Sequence, residues 1–280
     1  MAAYELHYWP SFTGRVEPIL LLLSDAGASF TLQRAVESVA DASHPDGEAS
    51  ASGGAAPAFA APVLRIVDED FTLAQTTAIL EFLGRRHGYI PMSDTAQANC
   101  LQLALNAADM WEESYSARRS ADEGAAFLAG RLPLWLSHLA RFHAACSDGG
   151  TFFFGDAPTY ADFQLLNVVH ILQVSLGTGA SSVPTVRCNT PALYAVHVSA
   201  ELSPRRWQWM FAELPEPAPE LEGWEAAMTS RPGVAAYLEH AEPVLYEQVA
   251  AGAKLPTPEE IAAWRAANAE GEGEGEKPKL

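Results

Sequence analysis

Alternation between hydrophobic and polar positions marks several short strands in the first ninety or so residues. The segment at about 4–9 alternates and carries aromatic residues, which is typical of a strand, and further strands are predicted at 29–35 and 61–67. Asp68-Glu69-Asp70 predicts a tight turn into a further extended segment, 71–73. Between them, the stretch 41–57 is rich in Ala, Ser, Gly and Asp, a composition that favours an exposed loop.

Helical spacing predicts two helices among these strands. The first runs from about Arg15 to Asp25, and Gly27 follows as its stop. The second runs from about Thr76 to His87, with basic residues in its last turn and Gly88 after it. The order strand–helix–strand–loop–strand–strand–helix predicts a compact α/β unit.

Beyond Pro91 almost every segment has helical spacing. Long helices are predicted at 100–118 and 124–146, the second kinked at Pro133. A third is expected to open at Thr159, whose side chain suits a capping box with Asp162 three residues later. Thr257 predicts the start of a last helix by the same capping rules. The Pro-rich segment 177–223 has no clear period.

We therefore expect two domains and a tail. The boundaries are 1–91 for the α/β domain, 92–254 for an all-helical domain that contains the irregular segment 177–223, and 255–280 for a C-terminal helix with an acidic tail. The alternating Glu and Gly of residues 270–276 favour a solvated, disordered tail.

Composition narrows the classes of partner. The 280 residues include 35 acidic and 17 basic side chains, for a formal net charge of −18, and 49% of them are hydrophobic. The hydrophobic fraction is sufficient for a core. The negative charge repels phosphate backbones and anionic lipids, so we expect neither a nucleic-acid partner nor a membrane partner.

Cysteine usage and the first residues indicate the compartment. Cys100, Cys146 and Cys188 are far apart and form no Cys-x-x-Cys pair, which argues against a disulfide framework and a zinc ribbon. Residues 1–10 lack the basic start and apolar core of a signal peptide, and the aliphatic run 19–23 is too short to cross a bilayer. A cytoplasmic location is expected. The histidines share no metal-like spacing, so no metal site is expected either.

Four segments in order resemble the cytosolic glutathione S-transferases. Phe71 to Arg85 resembles the family's glutathione-binding segment, Leu-x-(Gln)-(Ser/Thr)-x-x-Ile-Leu-x-x-Leu, and Ala61-Pro62 stands where the family places a cis-proline. Tyr4-x-Leu-x-Tyr8-Trp9 followed by Gly14-Arg15 is similar to the start of the tyrosine-type classes, such as pi, mu and sigma. Residues 151–162 resemble the capping motif of the helical domain.

The resemblance implies a thioredoxin-like N-terminal domain, an all-α C-terminal domain and a glutathione site. Tyr8 would be the catalytic residue, donating a hydrogen bond to the glutathione sulfur. The implied glutathione-binding residues are Tyr8, Arg15, Ala61, Pro62, Gln75 and Thr76. The resemblance also implies a homodimer.

Each of these residues also has an ordinary structural interpretation. Tyr8 on a strand suits a core position, and Ser11 or Thr13 could supply the hydroxyl instead. Thr76 suits a helix cap, although a helix start equally binds a carboxylate. Arg15 suits an anion or an acidic neighbour such as Glu17.

Trp111 and Tyr115 share a helix face at i, i+4 spacing. They are either core residues or the lining of an apolar pocket for the second substrate.

Two functions follow. The first is a glutathione transferase of the detoxification type, which activates the glutathione thiol for attack on a hydrophobic electrophile. The second is a non-catalytic binding or scaffold protein of the same fold. It is favoured by a longer loop after Tyr8 and by an apparent insertion at 177–223. It is also favoured by the lack of the Trp and Lys that commonly hold the glycine end of glutathione in the family. Between Phe30 and Ala61, only Arg34 carries a fixed positive charge. Dithiol redox chemistry is set aside because no cysteine precedes Cys100.

Overall fold

The structure is a computed structural model that describes residues 3–10, 13–43, 56–69, 71–117, 120–176 and 219–240, with Ala263 and Ala266. The first half contains strands and helices in the order β1 (Tyr4–His7), α1 (Glu17–Asp25), β2 (Phe30–Gln33), α2 (Val36–Ser43), β3 (Val63–Ile66), β4 (Phe71–Ala74) and α3 (Thr76–His87). A 3₁₀ turn, Gly14–Val16, precedes α1, and another, Val67–Glu69, precedes β4.

The four strands form one mixed sheet in the order β2-β1-β3-β4. β1 pairs with β2 in parallel, whereas β1–β3 and β3–β4 are antiparallel. The parallel pair requires a crossover, which α1 supplies. This confirms the predicted thioredoxin-like unit.

Helix α2 was missed by the sequence-based prediction, which placed no element at 36–40 and a loop from 41. The helix buries Val39, Ala42 and Ser43, and the Ser43 hydroxyl donates to the Val39 carbonyl at 2.6 Å. The helix has only 8 residues and begins directly after the predicted strand 29–35, so it is too short to contain the repeated aliphatic spacing that marks α1 and α3.

The second half is helical: α4 (Asp94–Ser116), α5 (Ala121–Ala126), α6 (Leu132–Cys146), α7 (Tyr160–Leu176), α8 (Pro219–Thr229) and α9 (Pro232–His240). α4 begins before the predicted residue 100 because the Ser93 hydroxyl accepts the Ala96 N–H at 3.2 Å and caps it. The predicted all-helical second domain is confirmed.

The predicted helix 124–146 is interrupted just before Pro133. A π-helical turn, Phe127–Arg131, joins α5 to α6, and the Leu132 N–H bonds to the Phe127 carbonyl. Pro133 itself lies in the first turn of α6, where a missing N–H removes no helical hydrogen bond.

Helix α7 lies at the centre of the fold, packed against α1, α3 and α4. The aliphatic face of α3, with Ile79, Leu80 and Leu83 buried, packs inside the chain. A side chain at Gly84 of α3 would meet the Tyr160 ring of α7 at 2.9 Å, so glycine permits this close packing.

Several predictions lie outside the described residues. These are the backup hydroxyl of Ser11, most of the irregular segment (177–218), the helix start at Thr257, the acidic tail and Cys188. Residues 219–223, the end of that segment, belong to α8. Within the described parts of the chain, no helix is both long and apolar enough to cross a membrane.

Candidate functional site

Three of the predicted site positions meet at one end of the sheet. In the antiparallel register, His7 of β1 and Ala74 of β4 both pair with Val63 of β3. Tyr8 follows β1, Pro62 precedes β3 and Gln75 follows β4, so all three lie beyond this common row. The order of the strands therefore brings together Tyr8 and Pro62, which are 54 positions apart in sequence, and Gln75, which is 13 positions beyond Pro62.

A cleft of about 130 Å³ opens next to this end, between the α/β half and helices α4 and α7. Its lining combines residues from the start of α1, the start of α3, the middle of α4 and the middle of α7: Arg15, Pro18, Gln75, Thr76, Thr77, Ala107, Ala108, Asp109, Trp111, Glu112, Gln164, Asn167 and Val168. Most of these side chains are polar or charged, but most of the surface that they expose to the cleft is apolar, so the cleft suits a ligand with both polar and apolar parts.

Tyr8 is buried, with 2% of its surface exposed, and its phenol lies against the loop before α1. The Arg15 backbone N–H donates to the Tyr8 oxygen at 3.0 Å. Burial raises the pKa of Tyr8, while the Arg15 N–H and the Arg15 charge act against that rise. At neutral pH the phenol therefore keeps its proton and remains a hydrogen-bond donor.

The other described hydroxyl in this loop is already engaged. Thr13 donates to the Glu17 carboxylate at 2.6 Å, and Glu17 is buried. Because its one proton is directed at Glu17, Thr13 is a weaker candidate than Tyr8 for the sulfur-facing donor.

The start of α3 has an unusual backbone. Gln75 occupies the N-cap position with φ 75° and ψ 117°, a strained conformation for a residue with a Cβ, and makes no side-chain cap. Thr76 does not cap the helix as expected, because its hydroxyl donates to the Arg15 carbonyl at 3.0 Å. The first N–H groups of α3 thus have no side-chain cap within the described chain, and they carry the positive end of the helix dipole.

The Ala61–Pro62 peptide bond is cis, as the resemblance implies. Pro62 is buried and Ala61 is partly exposed at the same end of the sheet as Tyr8.

The Arg15 side chain crosses the cleft to the helical half. It forms an ion pair with Glu112 on α4, and its guanidinium lies 4.8 Å from the centre of the Trp111 ring. Our sequence-based alternative of Glu17 as its acidic partner is wrong, since Arg15 pairs with Glu112 and Glu17 accepts from Thr13.

Trp111 and Tyr115 stack at 5.5 Å with nearly parallel rings. Trp111 lines the cleft, and its indole nitrogen is buried without a hydrogen-bond partner among the described residues. Tyr115 is half exposed, backs the indole and does not itself line the cleft.

Sequence reasoning missed most of the helical wall. Gln164 of α7 exchanges a side-chain hydrogen bond with Thr77 at 3.0–3.1 Å, and the Asn167 amide donates to the Gly14 carbonyl at 3.1 Å. The first pair of residues is separated by 87 positions in the sequence, and the second pair is separated by 153. No local motif indicates these contacts. Both residues lie on a helix whose side chains are buried from 160 to 172, where polar groups need partners. Asp109 of α4 also lines the cleft.

Among the residues that the structure describes, no group of three or more His, Cys, Asp or Glu side chains is arranged to hold a metal ion. The buried Cys100 thiol has its pKa raised to about 11 by burial, so it is a poor nucleophile.

Comparison with known proteins agrees with this arrangement. Residues 106–210 match the family model described as glutathione S-transferase, C-terminal domain. The chain is 25% identical over 171 residues to glutathione S-transferase P 1 of Xenopus laevis, covering 60% of this chain and 76% of that one.

Solved structures share the fold. The Pi-class glutathione S-transferase of Onchocerca volvulus matches with a TM-score of 0.59 at 20% identity, over 85% of this chain and 92% of the other. Prostaglandin synthase D of Nilaparvata lugens matches with a TM-score of 0.57 at 15% identity, over 85% and 98% of the two chains. These matches confirm the resemblance to the glutathione S-transferases seen in the sequence, and the solved structures show the same fold.

Proposed function

We propose that this protein is a glutathione transferase in which Tyr8 activates the glutathione thiol. The observation that carries the proposal is the meeting of Tyr8, the cis Ala61–Pro62 bond and the strained Gln75 at one end of the sheet, beside the cleft. Relatives named as glutathione S-transferases share this fold, which adds support.

Glutathione is a peptide with two carboxylates, an ammonium group and a thiol. The cleft offers groups for its γ-glutamyl end, whereas Ala61 and Tyr8 do not line the cleft and lie at the adjoining end of the sheet. The uncapped start of α3, at Gln75 and Thr76, suits the γ-glutamyl carboxylate. Asp109 is exposed in the same cleft and suits the ammonium group. The backbone of Ala61 suits the cysteinyl peptide, which brings the sulfur toward Tyr8.

The chemistry requires one preorganised donor. The Tyr8 hydroxyl donates a hydrogen bond to the sulfur, which favours the thiolate, and the thiol proton passes to solvent. The thiolate then forms a carbon–sulfur bond with an electrophile, and a leaving group such as a halide departs with the bonding electrons. Arg15 stabilises negative charge on the Tyr8 oxygen through its N–H and its guanidinium.

The second substrate is proposed to lie against Trp111, with Tyr115 behind it. A flat apolar or aromatic electrophile would stack on this pair. Isomerisation of a bound electrophile by the same thiolate is compatible with these groups, and one relative of this fold is named a prostaglandin synthase.

The competing proposal is a non-catalytic protein of the same fold. Arg34, the one fixed cation between Phe30 and Ala61, donates to the Trp9 carbonyl at 3.0 Å, so part of its donor capacity is used inside the chain. A glycine-end carboxylate would then be held more weakly than in enzymes that carry a Trp and a Lys there.

Calorimetry with glutathione and a conjugation assay with an activated aryl halide separate the two proposals. Binding with turnover supports the transferase. Binding without turnover for any aryl halide, epoxide or enone tested supports the scaffold protein, and failure to bind glutathione overturns both.

We further propose a homodimer in the cytoplasm with a detoxification role, and domain boundaries at 1–91, 92–254 and 255–280. The exposed Leu101 and Leu105 support the dimer, since they lie one turn apart on the same face of α4. A second copy would cover such a face with closed symmetry.

A further inference from the structure

A single peptide group connects the Tyr8 phenol to the helical half of the protein. The Gly14 carbonyl accepts a hydrogen bond from the Asn167 Nδ2 at 3.1 Å, and the Arg15 N–H donates to the Tyr8 oxygen at 3.0 Å. The Gly14 carbonyl and the Arg15 N–H are the two ends of one planar peptide unit. Asn167, the Gly14–Arg15 peptide and Tyr8 therefore form a continuous chain of hydrogen bonds.

The direction of this chain is fixed by chemistry. A carbonyl oxygen only accepts, so the donor face of the Asn167 amide must point at Gly14. The peptide is turned toward both partners by Gly14, which has φ 39°, a left-handed conformation that glycine adopts without strain.

Packing alone does not explain an asparagine at this position. Asn167 is 3% exposed on α7, and its Oδ1 is buried without a hydrogen-bond partner in the described structure. A buried oxygen without a partner lowers stability, and a leucine of similar shape would avoid that penalty. The hydrogen bond to the Gly14 carbonyl is what the Asn167 amide provides and a leucine would not.

Hydrogen bonds in such a chain polarise one another. A donor at the Gly14 carbonyl draws electron density along the peptide and makes the Arg15 N–H a stronger donor. A stronger donor at the Tyr8 oxygen stabilises negative charge there, so the Tyr8 hydroxyl gives its own proton more readily to a hydrogen bond with sulfur. The charged groups that act on this phenol are Arg15 and Arg34, which favour its ionised form, and Glu17, which opposes it.

We propose that Asn167 is a positioning residue that tunes the Tyr8 phenol, and through it the acidity of bound glutathione, from the helical half. The second step rests on the proposed function, whereas the coupling of Asn167 to Tyr8 through the peptide does not. A transferase with this arrangement has its thiol chemistry linked to the packing of α7 against the α/β half.

The test compares Asn167→Leu, which keeps the volume and removes the donor, with Asn106→Leu. Asn106 makes a side-chain hydrogen bond of the same length, 3.1 Å, to His138, in a pair that does not line the cleft. Asn167→Ala serves if the leucine variant fails to fold, as judged by circular dichroism and a cooperative melt.

The first readout is the amide resonance of Arg15 in protein labelled with ¹⁵N-arginine, without glutathione. We expect the amide proton to move upfield in Asn167→Leu and to stay in place in Asn106→Leu. An unchanged resonance in a folded Asn167 variant overturns the proposal, whether or not the protein is an enzyme.

The second readout is the ultraviolet thiolate absorbance of bound glutathione as a function of pH. We expect the thiol pKa to rise by about 0.5–1 unit in Asn167→Leu, which gives about three- to tenfold less thiolate below the pKa. A shifted Arg15 resonance with an unchanged thiol pKa overturns the proposed tuning. If wild-type protein binds glutathione without lowering its thiol pKa, the proposed function fails, and the Arg15 resonance still decides the coupling.

Discussion

The indole N–H of Trp224 donates to the carboxylate of Asp162 at 2.8 Å, which ties α8 to the start of α7. Asp162 is fully buried and also accepts the Thr159 N–H and hydroxyl at 2.7 Å and the Phe153 N–H at 3.3 Å. The predicted pairing of Thr159 with Asp162 is confirmed, although the threonine hydroxyl donates to the carboxylate. One carboxylate thus organises a turn, a helix start and a distant helix.

Replacing Trp224 by Phe keeps the ring and removes one donor from this buried carboxylate. We expect the free energy of unfolding to fall by about 1–3 kcal/mol, because a hydrogen bond to a buried charge is lost. Trp135→Phe is the matched control, since Trp135 donates to Glu113 at 3.0 Å at a partly exposed site. Urea unfolding measures both, and equal losses in the two variants would contradict the reasoning.

Tyr8→Phe removes the proposed donor to sulfur and keeps the ring. We expect conjugation of glutathione to an aryl halide to slow by one to two orders of magnitude, or about 1.4–2.7 kcal/mol of barrier, with glutathione affinity nearly unchanged. Steady-state kinetics at pH 6.5 with calorimetry provide the measurement. Full activity in the variant would remove Tyr8 from the mechanism and return attention to Ser11.

Gln75→Gly relieves the strain at φ 75° before α3. We expect the unliganded variant to be as stable as wild type or up to about 1 kcal/mol more stable, because the relief outweighs the added entropy of glycine in the unfolded chain. Gln33→Gly is the control, since Gln33 lies in β2 with an ordinary strand backbone and should lose about 1 kcal/mol. A loss at Gln75 as large as at Gln33 would show that its backbone is not strained.

Local patterns explain which parts of the fold were predictable from the sequence. α3 runs over Thr76–His87 as predicted, because the aliphatic period, the basic last turn and Gly88 with φ 81° all specify the same helix. For the short α2 and for the π-helical turn before Pro133, the sequence has no comparable set of local signals that specify the same element. Their shapes depend on packing against residues far away in sequence.

The residues of the candidate site also fall into a group that was predictable from the sequence and a group that was not. Tyr8, Pro62 and Gln75 are recognisable because each lies at a strand end within a short motif. Glu112 and Asn167 come from α4 and α7, where a polar residue on a helix has no local signal of its partner. Their roles depend on how the two halves pack, and sequence periodicity specifies only that the helices exist.

Acid should destabilise the protein through His170. Burial on α7 lowers the pKa of this imidazole to about 4, below the ordinary value of 6.5, so the folded state holds it neutral while the unfolded chain binds a proton. Its contribution to stability is complete above pH 6.5 and is lost as the pH falls toward 4. At pH 5 the loss is about 2 kcal/mol.

The check is urea unfolding of wild type and His170→Leu between pH 7.5 and 4.5. The variant should lose less stability on acidification by about that amount, whatever its offset at pH 7.5. Parallel curves would show that His170 becomes protonated without cost in the folded protein.

Assembly is tested on the exposed face of α4. Leu101 and Leu105 have 41% and 49% of their surfaces exposed, so a charge at either position costs little in a monomer. In a dimer that buries this face, Leu101→Glu with Leu105→Glu would place two carboxylates per chain without partners in the interface, at a cost of several kcal/mol. We expect light scattering to give a mass near twice 30.1 kDa for wild type and near 30.1 kDa for the double variant. Leu134→Glu, on the exposed side of α6, is the control and should keep the wild-type mass. A wild-type monomer, or a double variant that remains dimeric, would exclude this face of α4 as the interface.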